Sequence, residues 1–297
     1  MKIILPQTIT AANLTSSNVP ETDYPAWVAG TYTLGTLRIY LNKIYEVIVS
    51  STTSQPDVGA VASPAEWLAI SATNRYKMFD SVINTKTSKT GTIVVTVLPT
   101  QVVNAVAFFG LVGNTINVKV TDPVEGIVYN QSKYLQDNTF ITDWYSYFFE
   151  SLYQKEDAVF INLPSYNNAS ITVTIDAGAA AAKCGEMVMG RQQSLGVSNF
   201  GTSVSIQDYS VKTTDQFGNI VIVQRAFSKR ADYDVTIETS LVSYVQKLLA
   251  DIRTTPTVFI GAEEKPETVV YGFYKQFNIV ISTPSISDCS IEVEGLI

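Results

Sequence analysis

The sequence predicts a mainly β protein, made of a small β module, then a jelly-roll-like β-sandwich, then an α+β domain with an antiparallel sheet and one main helix. Three observations favour this class. Runs rich in β-branched residues recur with alternating apolar and polar positions, as in TIVVTVL (92–98) and TINVKVT (115–121). Turn-forming residues separate these runs at short intervals. The clearest helical spacing of apolar residues lies in SLVSYVQKLLADIR (240–253).

The first 71 residues divide into two parts. Residues 1–23 are rich in Thr, Ser and Asn and contain Pro6 and Pro20. This composition predicts an extended N-terminal arm, of the kind that orders against a neighbour in an assembly. Residues 24–71 form the small β module, because TYTLGTLRIYL and KIYEVIVSS are β-rich runs that meet at a tight turn. Trp67 closes this module.

The remaining residues predict two larger units. Residues 72–180 carry a series of strand-like runs and predict the β-sandwich. Within them, DWYSYFFESLY (143–153) fits either a strand or a short helix. Residues 181–297 predict the α+β domain, with Gly218 and Asn219 in a hairpin turn and Thr239 or Ser240 as the helix cap. The small apolar stretch AGAAAAKCGEMVMG predicts the connection between the two units.

Composition narrows the function classes. Hydrophobic residues make up 46% and charged residues 16% of the 297, so the chain can bury large cores over two or three domains. The net charge of −7 and the spread of the cations argue against a nucleic-acid partner. The longest apolar stretch, near 102–112, is too short to cross a bilayer, so no membrane partner is expected. The N-terminus lacks the apolar region of a secretory signal, and we expect the chain to fold where it is made.

The residue types needed for several kinds of catalytic or metal site are absent. The chain has no histidine, which excludes Ser-His and Cys-His nucleophiles and histidine metal ligands. Its two cysteines lie about a hundred residues apart, so they form either a disulfide or two free buried thiols and not a CxxC zinc site. We therefore expect no cofactor, no metal and no enzyme activity. The carboxylate pairs considered as glycosidase candidates are Asp143 with Glu150, Glu156 with Asp157, and Glu263 with Glu264, and we interpret all three as structural.

Aromatic residues are concentrated in the small module. Exposed flat rings pack against the apolar face of a sugar, whereas a module this small also needs aromatic side chains simply to form a core. Both interpretations stay open on composition. The residues concerned are Trp27, Tyr32, Tyr40, Tyr45 and Trp67.

The order of these aromatics resembles a known family. The pattern WVAGTYTLGTLRIYLNKIYEVIVSS followed by EWLAI is similar to the small carbohydrate-binding modules attached to chitinases and cellulases. The resemblance implies sugar-stacking roles for Trp27, Tyr45 and Trp67. The acidic residue usual after the Gly turn is replaced here by Thr36 and Leu37.

A second resemblance covers about three quarters of the chain. The stretches ATNRYKMFD, DWYSYFFE, CGEMVMG, IQDYSVKTTDQFGN, QRAFSKRADYDVTI, VVYGFYKQFNIVIS and CSIEVEGLI resemble a group of tailed-bacteriophage virion proteins. The resemblance implies a structural part of the tail, baseplate, tail tip or collar, assembled in the host cytoplasm and residing in the virion. Its implied partners are copies of itself and other virion proteins. The alternative function is an adhesin that binds a host-surface glycan.

The segment ATNRYKMFD also joins the small module to the sandwich. It contains a cation and a carboxylate, Arg75 and Asp80, five residues apart. We predict that these two side chains form a buried ion pair that fixes the geometry of the junction.

Overall fold

The structure is a computed structural model that describes residues 1–138, 141–150, 153–263 and 265–297, and it is mainly β with antiparallel sheets and one main helix. The predicted fold class is confirmed. The strands up to residue 72 are β1 (Lys2–Pro6), β2 (Leu14–Ser17), β3 (Tyr32–Thr33), β4 (Leu37–Tyr40), β5 (Lys43–Val47), β6 (Ser51–Thr52) and β7 (Trp67–Ala72). Those from 87 to 160 are β8 (Thr87–Val97), β9 (Ala105–Phe109), β10 (Thr115–Asp122), β11 (Gly126–Tyr134), β12 (Gln136–Asp137), β13 (Tyr153–Gln154) and β14 (Ala158–Phe160).

The second half contributes the longest strands. They are β15 (Ser170–Cys184), β16 (Glu186–Ser194), β17 (Val197–Ser198), β18 (Ser203–Asp208), β19 (Val211–Thr214), β20 (Ile220–Val223), β21 (Phe227–Glu238), β22 (Thr257–Ile260), β23 (Val269–Val280) and β24 (Ile286–Gly295). The α-helices are α1 (Pro56–Ala60), α2 (Trp144–Phe149) and α3 (Val242–Asp251). Short 3₁₀ turns occupy Lys77–Phe79, Thr239–Leu241 and Pro266–Thr268.

Two large sheets face each other across a sandwich core. A five-stranded sheet has the order β11-β10-β15-β8-β2, and a ten-stranded sheet begins β14-β9-β16. Alternate residues of β8, β10 and β15 point into this core and are almost fully buried, as their period-two pattern predicts. Phe108 of β9 and Phe160 of β14 meet them from the opposite sheet, with their rings edge to face at 6.1 Å.

The ten-stranded sheet continues past the sandwich and includes the N-terminus. From β16 its order is β1-β22-β23-β24-β21-β17, with β18 also pairing with β21. The predicted arm over residues 1–23 is thus corrected, because β1 lies between β16 and β22 and β2 pairs with β8. Ile3 and Ile4 point to opposite faces of the sheet and both are fully buried. The composition of residues 1–23 is polar overall, so it did not predict that the short apolar run at Ile3 and Ile4 forms a buried strand.

The predicted connection at residues 177–190 also differs from the structure. Its residues lie in β15 and β16, and the predicted boundary between 180 and 181 falls inside β15. The register of β15 against β8 shifts between Asp176 and Ala181, which leaves a bulge at the Ala-rich stretch. Small side chains here accommodate an irregular strand and do not mark a linker between separate units.

Helix α3 covers one face of the ten-stranded sheet. Its buried residues Val245 and Leu249 pack in a cluster with residues of β1, β21, β22 and β24. The predicted side-chain cap is not formed, because a 3₁₀ turn at Thr239–Leu241 precedes the helix and Leu241 occupies the cap position. The Thr239 hydroxyl bonds instead to Thr283 and Ser287.

The small module has its own hydrophobic core. β4, β5 and β7 form a three-stranded antiparallel sheet, and β3 pairs with β6 beside it. Its buried cluster consists of Tyr32, Tyr45, Val47 and Trp67, which share no cluster with the two large sheets. The predicted tight turn between β4 and β5 is present, with Leu41 and Asn42 at φ 46° and 64°.

A glycine allows β1 to enter the ten-stranded sheet. A Cβ built on Gly190 of β16 would lie 1.8 Å from the carbonyl oxygen of Leu5. We expect Gly190→Ala to displace β1 and lower the free energy of unfolding by about 2 kcal/mol or more. Urea denaturation measures this, with Gly30→Ala as the matched control because its Cβ would meet nothing closer than 3.8 Å. Equal effects of the two substitutions would contradict the packing argument.

Candidate functional site

The three aromatic residues that the sugar-binding resemblance selects do not share one exposed surface. Tyr45 and Trp67 are 6% and 1% exposed, so neither offers an open ring face to a ligand. The Trp67 ring packs edge to face on Tyr32, and its Nε1 donates a hydrogen bond of 3.0 Å to the carbonyl of Ser54. The structure therefore assigns Tyr45 and Trp67 to the core of the module, which was the other interpretation of its aromatic content.

Trp27 is the exception among the three. Its ring is half-buried and packs edge to face against Tyr40 at 5.6 Å. Its Nε1 is buried and has no hydrogen-bond partner among the described residues, and an unpaired buried donor carries a desolvation cost. A single half-buried ring is a much smaller surface than the three-ring platform that the resemblance implies.

The predicted ion pair between Arg75 and Asp80 is corrected. Within the described residues, Arg75 contacts Glu21 at 3.8 Å and donates from Nε to the carbonyl of Val19 at 2.8 Å. Asp80 accepts hydrogen bonds from the Val82 amide and the Thr85 hydroxyl. The turn at Lys77–Phe79 separates the two side chains, so each serves a different part of the junction.

The junction between the module and the sandwich is instead held by hydrogen bonds to residues near the N-terminus. Thr73 donates to Glu21 at 2.7 Å, and the amide of Asn74 donates to Asp23 at 3.1 Å. The Asn74 side chain also exchanges two hydrogen bonds with the backbone of Ser88 in β8. This network links residues 19–23, the end of the module and the first strand of the sandwich.

A buried carboxyl group near Asp80 was not found from the sequence. Glu186 is 4% exposed at the start of β16, and its Oε2 accepts the amide of Ser81 at 2.9 Å. Burial, with a smaller contribution from the neighbouring Asp80, raises the pKa of Glu186 to about 9, and the hydrogen bond from the Ser81 amide acts in the opposite direction. Burial likewise raises the pKa of Asp80 above its ordinary value. A lone Glu within the apolar stretch CGEMVMG was the signal available in the sequence.

Within DWYSYFFESLY (143–153), Trp144–Phe149 form a short aromatic helix, Tyr153 begins strand β13, and residues 151 and 152 lie outside the described residues. Asp143 and Ser146 form a capping box at the start of α2. The hydrogen bonds from Ser146 lower the pKa of Asp143. Asp143 is thus a cap, and we infer no acid-catalyst pairing with Glu150. All five aromatic side chains of α2 are exposed by 61–78%: Trp144, Tyr145, Tyr147, Phe148 and Phe149.

The other carboxylate pairs make contacts of a structural kind. Asp157 forms an ion pair with Lys229 that joins the segment before β14 to β21. Glu263 forms an ion pair with Lys2 of β1. Glu264 lies outside the described residues. These partners agree with the interpretation of the pairs as structural.

A second exposed apolar surface is the ribbon, defined here as β19 and β20 with the turn between them. Within the described part of the chain, strands β19 and β20 pair only with each other, and every residue of both is exposed. The four residues of β20, Ile220 to Val223, are 48–71% exposed on the two faces. The turn is built by Asp215, whose carboxylate accepts the amides of Phe217 and Asn219. Phe217 at the tip is 90% exposed.

Asp215 and Asn219 hydrogen-bond to each other in the exposed ribbon turn. No cluster of three or more His, Cys, Asp or Glu side chains suited to a metal ion occurs among the described residues. Both cysteines are free and buried, and burial raises the pKa of the Cys184 thiol and that of Cys289. In the part of the chain that the structure describes, no helix is long and apolar enough to span a bilayer.

Comparison with known proteins adds little to this geometry. No family model and no curated protein matches the chain. Among solved structures, the chain is similar to a chitosan-binding module derived from a chitosanase/glucanase of Paenibacillus sp. IK-5. The TM-score is 0.27 and the sequence identity 9%, over 39% of this chain and 83% of that one. A similarity this weak supports no inference about the fold or ligand of the present chain, so its function must be argued from its own surfaces.

Proposed function

We propose that the chain is a non-enzymatic structural subunit of a multimeric assembly, and that this assembly is part of a tailed-bacteriophage virion, in its tail, baseplate, tail tip or collar. The observation that carries the first part of the proposal is the ribbon. The second part rests on the resemblance of the stretches from ATNRYKMFD to CSIEVEGLI to virion proteins.

The ribbon is unfavourable on an isolated chain. A two-stranded ribbon is marginally stable alone, and large apolar side chains exposed together mark interaction surfaces. Full burial of one Ile or Val side chain is worth about 1.5–3 kcal/mol. Four such residues in succession on β20 therefore favour a neighbour that covers the ribbon.

The aromatic helix α2 supports the same proposal independently. Aromatic residues are enriched where protein surfaces meet, because they bury much area with few rotatable bonds. Trp144 and Phe148 stack at 6.4 Å, and Tyr145 and Phe149 lie 4.8 Å apart, so the rings are held together before any partner arrives. Two separate apolar surfaces suit a subunit with more than one neighbour.

The ribbon makes the first part of the proposal testable. We expect Ile222→Lys to reduce the assembled fraction at least tenfold while the thermal stability of the monomer stays the same, because Ile222 contacts no core. Multi-angle light scattering and analytical ultracentrifugation measure the mass. The matched control is Val124→Lys, which places the same charge at a site 91% exposed in the β10–β11 turn. A wild-type chain that stays monomeric at all concentrations would contradict the proposal.

The virion assignment has its own test. Mass spectrometry of purified phage particles should detect the chain at a stoichiometry of several copies per particle, and a cryo-EM map should place the ribbon and α2 against neighbouring chains. A chain that multimerises but is missing from the particles would remove the virion assignment and leave the assembly role.

The alternative function, a glycan-binding adhesin acting through Trp27, Tyr45 and Trp67, is less well supported by this geometry. Stacking on a sugar requires exposed rings, and two of these three are in the core of the module. We therefore do not place a glycan on the module.

A further inference from the structure

A cleft opens at the mouth of the sandwich, away from the ribbon and from the module. It lies between β11 and β14, the edge strands of the five-stranded and ten-stranded sheets. Its volume is about 520 Å³, within the range of small-molecule sites. Phe160, Ile260 and Val269 form an apolar floor.

The edge strand β11 breaks the apolar pattern of the sandwich at this cleft. Tyr129, Gln131 and Lys133 pair directly with three core residues of β10, which are Val120, Val118 and Ile116. Cross-strand partners point to the same face of a sheet, so the polar row faces inward where apolar residues are expected. A departure of this kind from a consistent pattern is typical of functional positions.

One charge in the cleft lacks a counter-ion. Lys133 Nζ donates 2.5 Å to the carbonyl of Val159 and lies 4.9 Å above the Phe160 ring, but it forms no ion pair with any described carboxylate. The other charged side chains that line the cleft are already paired. Those pairs are Lys155 with Asp137, Asp157 with Lys229, and Glu263 with Lys2.

The Lys133 side chain is exposed overall, and the partial desolvation of its ammonium carries a penalty. Desolvation lowers the pKa of Lys133, and the distant attraction of Glu263 offsets only part of that effect. A ligand that brought a negative charge would reduce the penalty. A lysine on an edge strand also blocks pairing with other chains, but that role explains neither the volume of the cleft nor the polar residues beside Lys133.

Beside Lys133, the cleft offers hydrogen-bond donors above an apolar floor. The Tyr129 hydroxyl donates to Gln131 Oε1 at 2.9 Å, which orients the amide and leaves its N–H groups available. The cleft thus has an apolar lining, hydrogen-bonding groups on Gln131 and Tyr129, and the unpaired ammonium of Lys133. A sugar ring with one apolar face, hydroxyl groups and a carboxylate matches these three features. We propose that this cleft binds a carboxylate-bearing sugar, with the carboxylate at Lys133, the hydroxyls at Gln131 and Tyr129, and the apolar ring face against the apolar lining of the cleft.

The proposal is independent of the assembly role and is tested on the full chain with free sugars. We expect glucuronic acid and N-acetylneuraminic acid to shift amide resonances of β11 and β14 in NMR titrations, with affinities in the millimolar range. Glucose should bind about tenfold more weakly, because it lacks the carboxylate, and glucosamine should not bind. Salt should weaken the binding of both acids.

Two substitutions test which residues of the cleft bind the acidic sugar. Lys133→Met keeps the side-chain stem and should weaken binding of the acidic sugars at least tenfold, and Gln131→Ala should weaken it several-fold. The control is Lys119→Met, which removes a cation from the opposite face of the same sheet. If Lys133→Met does not fold, Gln131→Ala alone decides the assignment. The proposal is overturned if neither acid shifts the cleft resonances, if glucose binds as well as the acids, or if the control loses as much affinity as the two cleft variants.

Discussion

Replacing Trp67 by Ala should unfold the small module and leave the two large sheets intact. Trp67 is fully buried and packs against Tyr32. Gly59 of α1 lies so close to it that a Cβ built on Gly59 would be 2.5 Å from the indole. Removing the ring leaves a cavity and an unpaired carbonyl at Ser54, and such changes lower the free energy of unfolding by about 3–5 kcal/mol. A module whose own core is one small cluster has little stability in reserve.

Hydrogen exchange followed by mass spectrometry measures this effect directly. Amides of β4, β5 and β7 should lose their protection in Trp67→Ala, whereas those of β8, β10 and β15 keep theirs. The matched control is Leu68→Ala, which removes an apolar side chain from the next residue where it is 51% exposed. Protected module amides in Trp67→Ala would show that Trp67 is not the centre of the core.

The aromatic residues of the module show why a sequence pattern did not separate a core from a binding platform. Spacing along a strand tells which residues share a face, but not whether another element covers that face. In this module α1 and its flanking residues lie over the Trp67 ring, so the same spacing produces buried rings. Only the path of residues 53–66 decides between the two interpretations, and that path carries no periodic pattern.

Strand β1 shows a second reason for a difference between expectation and structure. A fully buried strand has apolar residues at consecutive positions and not in alternation, and in KIILP the hydrophobic run is only three residues long before Pro6. Its pairing partners, β16 and β22, lie about 190 and 255 residues further along the chain. By contrast, β8, β10 and β15 alternate over many residues, and the sequence alone was enough to predict them.

The surfaces that support the proposed function were only half predictable. The hairpin with Gly218 and Asn219 in its turn follows from turn chemistry, and the structure confirms the turn. Its isolation from both large sheets does not follow, because an apolar run such as IVIV (220–223) usually predicts a buried strand. An exposed ribbon and an exposed aromatic helix on one chain are the two surfaces on which the proposed assembly role rests.

The second large effect concerns pH. Glu186 has an ordinary pKa of 4.5, and burial raises the pKa in the folded protein to about 9. Between these two values the folded state keeps a proton that the unfolded state has lost, so the free energy of unfolding falls as pH rises, by up to about 1.4 kcal/mol per pH unit. The contribution of Glu186 is fully present below pH 4.5 and is lost as pH rises through 9.

Replacing Glu186 by Gln removes this titration. The amide keeps an oxygen acceptor for the Ser81 N–H and stays neutral at every pH. We expect Glu186→Gln to be more stable than the wild type by about 2–4 kcal/mol at pH 8 and to match it within about 0.5 kcal/mol at pH 4. Urea denaturation over pH 4–8.5 measures the difference, and Glu267→Gln, at an exposed site in the Pro266–Thr268 turn, serves as the control. Parallel stability curves for Glu186→Gln and wild type would mean that the Glu186 carboxyl is not held neutral in the folded protein.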